Sequence, residues 1–218
     1  MSIFLGATIN DEHTLRDWGA AITNSDIISV PEPNLTVLEV PGRNGRLDLS
    51  EALSGDVTYG NREIKLELAS QVSIDSWYEK CLHIFNTYHG RQVQVIFDDD
   101  PTHFYKGRAT VSDPQRVRNG GTFVFMVSAE PFRYAVSQTS KVISGTGIDS
   151  IVVSGRMPVC PTITATAACE MVIGDVTYSL VAGEQTFVIP FSIGSTEINI
   201  NNLSSGNTVT FTYREGWL

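Results

Sequence analysis

Basic residues are scarce in this chain: 15 Lys and Arg face 24 Asp and Glu, leaving a net charge of −9 over 218 residues. Gripping a nucleic-acid backbone requires clustered cations that neutralise phosphates. The densest basic stretch, Gly42-Arg43-Asn44-Gly45-Arg46, is answered at once by Asp48 and Glu51, which argues against that role. Cysteine is scarcer still, at 3. An odd number in a chain this large does not make a disulfide framework, so Cys81, Cys160 and Cys169 are expected as buried, reduced thiols. No apolar run approaches the ~20 residues that cross a bilayer. The stretch Met1 to Gly6 has no positive region and soon meets Asp11 and Glu12, so no signal peptide is expected and synthesis should be cytoplasmic. The low charged fraction, 18%, is set against 42% hydrophobic residues with 10 Phe, 7 Tyr and 3 Trp. That apolar content excludes a disordered chain.

Catalytic and metal-binding patterns are missing as well. Histidines stand at 13, 83, 89 and 103 without His-x3-His or Glu-x-x-His spacing, so no metal site is expected from them. Asp98-Asp99-Asp100-Pro101 lacks the alternating carboxylates of a calcium loop and reads as an acidic hairpin turn. There is no Gly-x-Ser-x-Gly elbow or Walker loop, and no spacing singles out a carboxylate dyad. Neither an enzyme nor a bound cofactor is expected.

What is present is mostly period two. Glu63-Ile64-Lys65-Leu66-Glu67-Leu68 puts aliphatics on one face and charges on the other, the pattern of a half-buried strand. Gln92 to Val95 alternates likewise. Thr122 to Val127 is apolar on both faces, as for a central strand covered on two sides, with Tyr105 to Val111 as its partner and Asn119-Gly120-Gly121 near the turn. One helix is predicted over about 74–89, from apolar residues at 74, 77, 78, 81, 82, 85 and 88. Ser73 or Asp75 suits its N-cap and Gly90 its close. Trp77, Leu82, Phe85 and Tyr88 should pack on a sheet.

A boundary is expected between 130 and 147, with Gly145-Thr146-Gly147 as linker. Beyond it Thr162–Ala167, Val176–Leu180 and Thr208–Tyr213 alternate between turn signals, as in a β-sandwich. The expected architecture is mainly β, with domains over 1–135 and 136–218. Between Pro31 and Gly60 lies a long, turn-rich stretch that still carries leucines. A loop of that length in a compact domain commonly meets a partner, although it could also fold back on its own domain.

Here the residues resemble a known family. Pro31-Glu32-Pro33, Glu39-Val40-Pro41-Gly42-Arg43-Asn44-Gly45, Leu47-Asp48-Leu49-Ser50-Glu51-Ala52-Leu53-Ser54-Gly55 and Tyr59-Gly60-Asn61-Arg62, followed by Ala129-Glu130-Pro131-Phe132-Arg133-Tyr134 and Tyr213-Arg214-Glu215-Gly216-Trp217-Leu218, are similar in order to the distal tail proteins of long-tailed, non-contractile bacteriophages. The resemblance implies an N-terminal split-barrel-like domain with one α-helix and a C-terminal galectin-like β-sandwich, in the bare two-domain form without an inserted binding module. It also implies a homo-oligomer, a hexameric ring in the virion that joins the tail tube protein to the baseplate or tail-associated hub protein. DNA would pass through its lumen without specific binding, so a neutral to acidic lumen is expected; no membrane partner is implied. In a ring of this kind one patch meets a different patch on the neighbour. Pro41, Gly42, Arg43, Gly45, Arg46, Asp48, Glu51, Tyr59 and Asn61 are then candidates for a subunit interface or an extended loop, with the arginines facing carboxylates across it. A local Arg43–Asp48 turn is the competing reading. A carbohydrate-binding module engaged in host-surface adsorption is the alternative function, using Trp217 or Tyr178, although Tyr178 alternates with Val176 and Leu180 like a core residue. A tail-associated hydrolase lacks any recognisable nucleophile or acid pair.

Overall fold

The computed structural model describes residues 6–25, 27–52, 55–70, 74–117 and 120–218. The chain forms two compact units, Met1–Arg133 and Tyr134–Leu218, each with its own apolar core.

The strands of the first unit are β1 (Ala7–Ile9), β2 (Glu12–His13), β3 (Ala20–Ile22), β4 (Val37–Glu39), β5 (Arg46–Asp48), β6 (Arg62–Ser70), β7 (Gln92–Phe97), β8 (Asp100–Val117) and β9 (Gly120–Ala129). The helix α1 spans Ile74–Tyr88. Seven strands pair in the order β2-β1-β7-β8-β9-β6-β3, curled as a half-barrel. The charged–aliphatic alternation of β6 resolves as expected: Ile64, Leu66 and Leu68 are buried, while Glu63, Lys65 and Glu67 are not. In β9 the outcome differs. Phe123, Phe125 and Val127 are buried, but Val124 and Met126 are only half-covered, because the helix and the N-terminal residues cover one face of the sheet alone. The partner strand is longer than expected and carries a register shift between Ser112 and Gln115. Pro114 falls inside that irregularity, where its missing N–H costs the ladder nothing. The three aspartates form the β7–β8 hairpin turn, with Phe97 paired to Asp100.

In α1 the face toward the core carries Trp77, Cys81, Ile84 and Tyr88, the i, i+4, i+7, i+11 positions of one stripe. Trp77 packs at 5.5 Å from Phe123, and Trp18 stands between Tyr88 at 5.5 Å and Phe125 at 5.6 Å. Leu82 does not join the core: it is 45% exposed, and Tyr78 is 66% exposed. The seven apolar positions span two adjacent stripes, and the sheet covers just one of them. Gly90 closes the helix at φ 74, a left-handed conformation that glycine adopts without a Cβ penalty. The expected caps, Ser73 and the Asp75 side chain, lie outside the described residues, as does Asn119.

In the second unit β10 (Arg133–Ala135), reaching in from the boundary, is followed by β11 (Thr139–Ser144), β12 (Gly147–Val153), β13 (Thr162–Ala165), β14 (Cys169–Ile173), β15 (Val176–Leu180), β16 (Gly183–Thr186), β17 (Gly194–Asn201), β18 (Thr208–Tyr213) and β19 (Gly216–Trp217). Two antiparallel sheets, β11-β18-β13-β16 and β12-β17-β14-β15, share one core in which Ile163, Val209 and Phe211 face Ile151, Met171 and Ile198. This is a β-sandwich. Tyr213 ties the sheets by donating its hydroxyl to the Val152 carbonyl at 2.9 Å. Gly145-Thr146-Gly147 is not a linker; it turns β11 into β12 within this unit, with the Thr146 hydroxyl donating to the Leu203 carbonyl at 3.2 Å.

Cys81 and Cys169 are buried, as expected, and burial pushes both thiols up. Cys160 is exposed, since it follows Val159, whose side chain takes the inward position. Under native conditions a thiol reagent such as DTNB is therefore expected to titrate one thiol rapidly and the other two only on unfolding, since the thiolate is the nucleophile and must be accessible. Replacing Cys160 with Ser should abolish the fast phase.

Candidate functional site

The stretch between Pro31 and Gly60 is a β-arm. Its stem is an antiparallel ladder: Pro33 bridges Tyr59, and Asn34 N–H donates to the Thr58 carbonyl and Gly60 N–H to the Glu32 carbonyl, both at 2.8 Å. Further out, Leu49 N–H donates to the Thr36 carbonyl at 2.8 Å, and the pairs Val37–Asp48, Leu38–Leu47 and Glu39–Arg46 complete the β4–β5 ribbon. The tip from Val40 to Gly45 turns with Gly42 at φ 79 and Gly45 at φ 78, values that strain any residue with a Cβ.

Period-two alternation gives this ribbon two unlike faces. Val37, Glu39, Arg46 and Asp48 lie on one. On the other lie Leu38, Val40, Leu47 and Leu49, of which Leu38 is 51% exposed and Val40 and Leu49 are each 37% exposed. A lone two-stranded ribbon is marginal in water, so an uncovered apolar face on one is a feature to explain.

The candidate residues are distributed along this arm. Pro41, Gly42, Arg43 and Gly45 make the exposed tip. Arg46 pairs with Glu39 across the ribbon at 3.0 Å, an exposed contact worth at most about 1 kcal/mol. Asp48 accepts hydrogen bonds from the Ser50 hydroxyl at 2.5 Å and the Ser50 amide at 2.9 Å, and these hold its carboxyl below the ordinary range. Ser50 in turn accepts from the Thr36 amide at 2.9 Å, so Asp48 braces the ribbon base rather than closing a turn with Arg43. Glu51 is exposed, with its carbonyl accepting from the Gly55 amide. Tyr59 and Asn61 lie apart from the tip, against the end of the sheet: Tyr59 meets Phe132 edge-on at 6.2 Å, and Asn61 donates to the Ser128 hydroxyl at 3.2 Å.

That last pair of contacts explains two of the motifs together. Arg62, buried beside Asn61, donates to the Pro131 carbonyl and holds its guanidinium 5.3 Å over the Tyr105 ring; burial lowers its pKa. Arg133 pairs with Asp100 at 3.0 Å. The Tyr59–Arg62 and Pro131–Arg133 motifs, about seventy positions apart, are thus one clasp at the root of the arm.

Three histidines pair with carboxylates: His13 with Asp98 at 3.0 Å, His83 with Glu12 at 2.8 Å and His103 with Asp100 at 2.8 Å. Burial pushes Glu12 up, but hydrogen bonds from Trp18, His83 and Tyr88 outweigh it and hold the carboxyl below its ordinary value. Among the described residues no group of three His, Cys, Asp or Glu could hold a metal ion, and no helix is long and apolar enough to cross a membrane. Tyr178 is half-buried against the sandwich core and meets Phe187 edge-on at 6.0 Å.

A second surface went unread in the sequence. The outer stripe of α1 and the irregular part of β8 enclose an open groove of about 780 Å³, lined by Trp77, Tyr78, Leu82, Phe85 and Pro114. Its sequence signal was the width of the apolar stripe, two residues per turn where a one-sided core contact needs fewer.

No protein-family profile and no curated protein sequence matches the chain. Among solved structures, the chain is similar to the SPP1 Dit (gp 19.1) protein, a siphophage distal tail protein whose crystal structure is described as a paradigm of hub adsorption apparatus in Gram-positive infecting phages. The TM-score is 0.66 at 14% identity, over 97% of this chain and 99% of that one. A de novo designed double-stranded β-helix is similar over 37% of this chain at 17% identity, with a TM-score of 0.26. The mainly β fold expected from the ordered motifs is thus a fold like that of the Dit structure.

Proposed function

We propose that this chain is a structural protein of a phage tail tip, assembled as a hexameric ring that joins the tail tube to the baseplate or tail-associated hub and leaves a channel for DNA. The observation that carries this reading is the end-to-end likeness to the Dit fold, 97% of one chain over 99% of the other, in a chain whose ordered motifs resemble the same kind of protein. The arm supports it. An exposed ribbon with an apolar face suits a heterologous contact, in which one subunit's patch meets a different patch on the next. The net charge of −9 is compatible with a lumen that lets DNA pass without holding it. The reading places the protein in the virion and gives it no catalytic step.

Native mass spectrometry of the full chain tests it: a six-fold mass at tens of micromolar is expected, and a chain that stays monomeric at every concentration overturns it. Charge reversal at the arm, Arg43→Glu with Arg46→Glu, is expected to weaken assembly without unfolding the protomer. The second change sets two carboxylates opposite each other at the Glu39 pair, and like charges opposed across strands are destabilising. An unchanged hexamer population in this variant would remove the arm tip from the interface.

A further inference from the structure

We infer that Asn44, at the tip of the β-arm, is a site of spontaneous covalent modification. Its side-chain amide closes onto the Gly45 backbone nitrogen and is lost as ammonia, leaving an aspartyl or isoaspartyl residue. The inference goes beyond the ring reading and stands whether or not the chain assembles.

The reaction asks three things of a site. The nitrogen after the asparagine must reach the side-chain carbon Cγ, neither group must be held away by a hydrogen bond, and water must reach the ring that forms. Asn44 is followed by glycine, which has no Cβ to hinder the approach and leaves the backbone free to turn. Among the described residues neither the Asn44 side chain nor the Gly45 N–H has a hydrogen-bond partner. The flanks, by contrast, are fixed. Arg43 N–H donates to the Val40 carbonyl at 3.1 Å, closing a turn over Pro41 and Gly42, and Arg46 pairs with Glu39 in the ribbon. The two reacting residues form the unbonded link between these fixed ends. Both are exposed, and a Cβ built on Gly45 would meet nothing within 4 Å.

The other asparagines lack this combination. Asn119 also precedes a glycine, but Gly120 is buried in the ladder opposite Val117, where its nitrogen is not free to swing onto a side chain. Asn10, Asn24, Asn34, Asn61, Asn202 and Asn207 each use the side-chain amide in a hydrogen bond, which has to break before Cγ can be attacked.

In the first step a bond forms from Gly45 N to Asn44 Cγ and the Cγ–Nδ2 bond breaks. The proton of the Gly45 N–H leaves with the side-chain nitrogen as ammonia, and a cyclic imide remains. The Arg43 cation beside the site favours loss of that proton, as a nearby positive charge favours any anionic form. Water then adds to one of the two imide carbonyl carbons, and the bond from that carbon to nitrogen breaks. Opening at Cγ gives aspartate. Opening at the main-chain carbonyl gives isoaspartate, in which the chain runs through the side chain and gains a methylene. Water is the only co-reactant. Either product sets a carboxylate between Arg43 and Arg46, and the iso form also lengthens the turn at the arm tip.

The test holds the full-length chain in warm, mildly alkaline buffer, samples it over days and cuts it after glutamate, so that residues 40–51 emerge as one peptide. Mass spectrometry should show this peptide gaining about one mass unit as NH gives way to O, and electron-transfer fragmentation should find isoaspartate at position 44. Conversion is expected to be about tenfold or more faster than at any other asparagine, where a hydrogen bond or a buried strand has to open first. Asn44→Gln, which would have to close a larger ring, should abolish the change in this peptide while circular dichroism stays that of wild type. A peptide that keeps its mass overturns the inference, and a product without isoaspartate overturns the ring closure. Reaction at Asn119 as fast as at Asn44 would show that the Asn-Gly pair alone, and not the unbonded tip, decides. None of these readings depends on ring formation, so their failure and that of the ring reading are separate results.

Discussion

Gly107→Ala should destabilise the first unit by about 3 kcal/mol, the upper end of the usual overpacking penalty. Gly107 lies in β8 opposite Ala129 of β9, and a Cβ built there stands 2.3 Å from the Ser128 carbonyl oxygen and 2.5 Å from the Ala129 Cα. These are backbone atoms of a paired strand and cannot rotate away, as a flexible side chain could. The end of the β8–β9 ladder, where Gly107 also pairs with Val93 of β7, has to open, exposing backbone groups whose hydrogen bonds each contribute roughly 1 kcal/mol net. In urea, with a slope of about 2 kcal/mol per molar, the midpoint should fall by about 1.5 M. Gly60→Ala is the control: its nearest neighbours would be 3.7 Å away, and it should leave the midpoint almost unmoved. A Gly107 variant within about 0.5 kcal/mol of wild type would show that the sheet yields at this point.

Phe125→Ala should cost about 3–5 kcal/mol, the range for emptying a buried aromatic site. Phe125 is fully buried and joins three parts of the unit: its own strand β9, Trp18 at 5.6 Å from the N-terminal segment and Tyr88 at 6.1 Å from the end of α1. The surrounding sheet cannot close around the void, because β6 and β8 hold β9 on both sides. The lost aromatic contacts add to the lost burial. A fall of about 10 °C or more in Tm is expected, with the change most visible in the fluorescence of Trp18 and Trp77, which line the same core. Phe125→Leu keeps much of the volume and should recover most of the loss; equal damage from both changes would mean that the ring contacts, rather than the burial, carry the energy.

Local order was legible because its signals are local. The alternation of Glu63 to Leu68 sets three aliphatics on one side whatever else the chain does, and it produced β6. The apolar spacing from Ile74, closed by Gly90, produced the helix with its observed ends. Gly174-Asp175 and Ser204 to Asn207, residues with turn chemistry, fall between strands. Misreadings arose where a residue's environment depends on what lies across from it. Leu82 and Trp77 share the apolar character of α1, but only one stripe meets the sheet. Cys160 is as apolar as Cys169, yet it follows the inward-facing Val159 and is left exposed. Gly145 and Gly147 are as apt for a tight turn as for a linker, and the placing of β11 and β12 in different sheets makes them the turn that crosses from one sheet of the sandwich to the other.

The sequence by itself determined that this chain is β-rich, carries one helix and presents an unusual turn-rich segment between Pro31 and Gly60. Periodicity and turn chemistry act over a few residues, and a single sequence displays them in full. Only the tertiary structure decided that this segment is an arm with one polar and one apolar face, since that division follows from the pairing of Leu38 with Leu47 and of Glu39 with Arg46. It alone brought Arg62 to the Pro131 carbonyl and set Tyr78 and Leu82 beside Pro114. Those neighbours are tens of residues apart in the chain, and their meeting is fixed by strand order and register, which no stretch of residues encodes on its own.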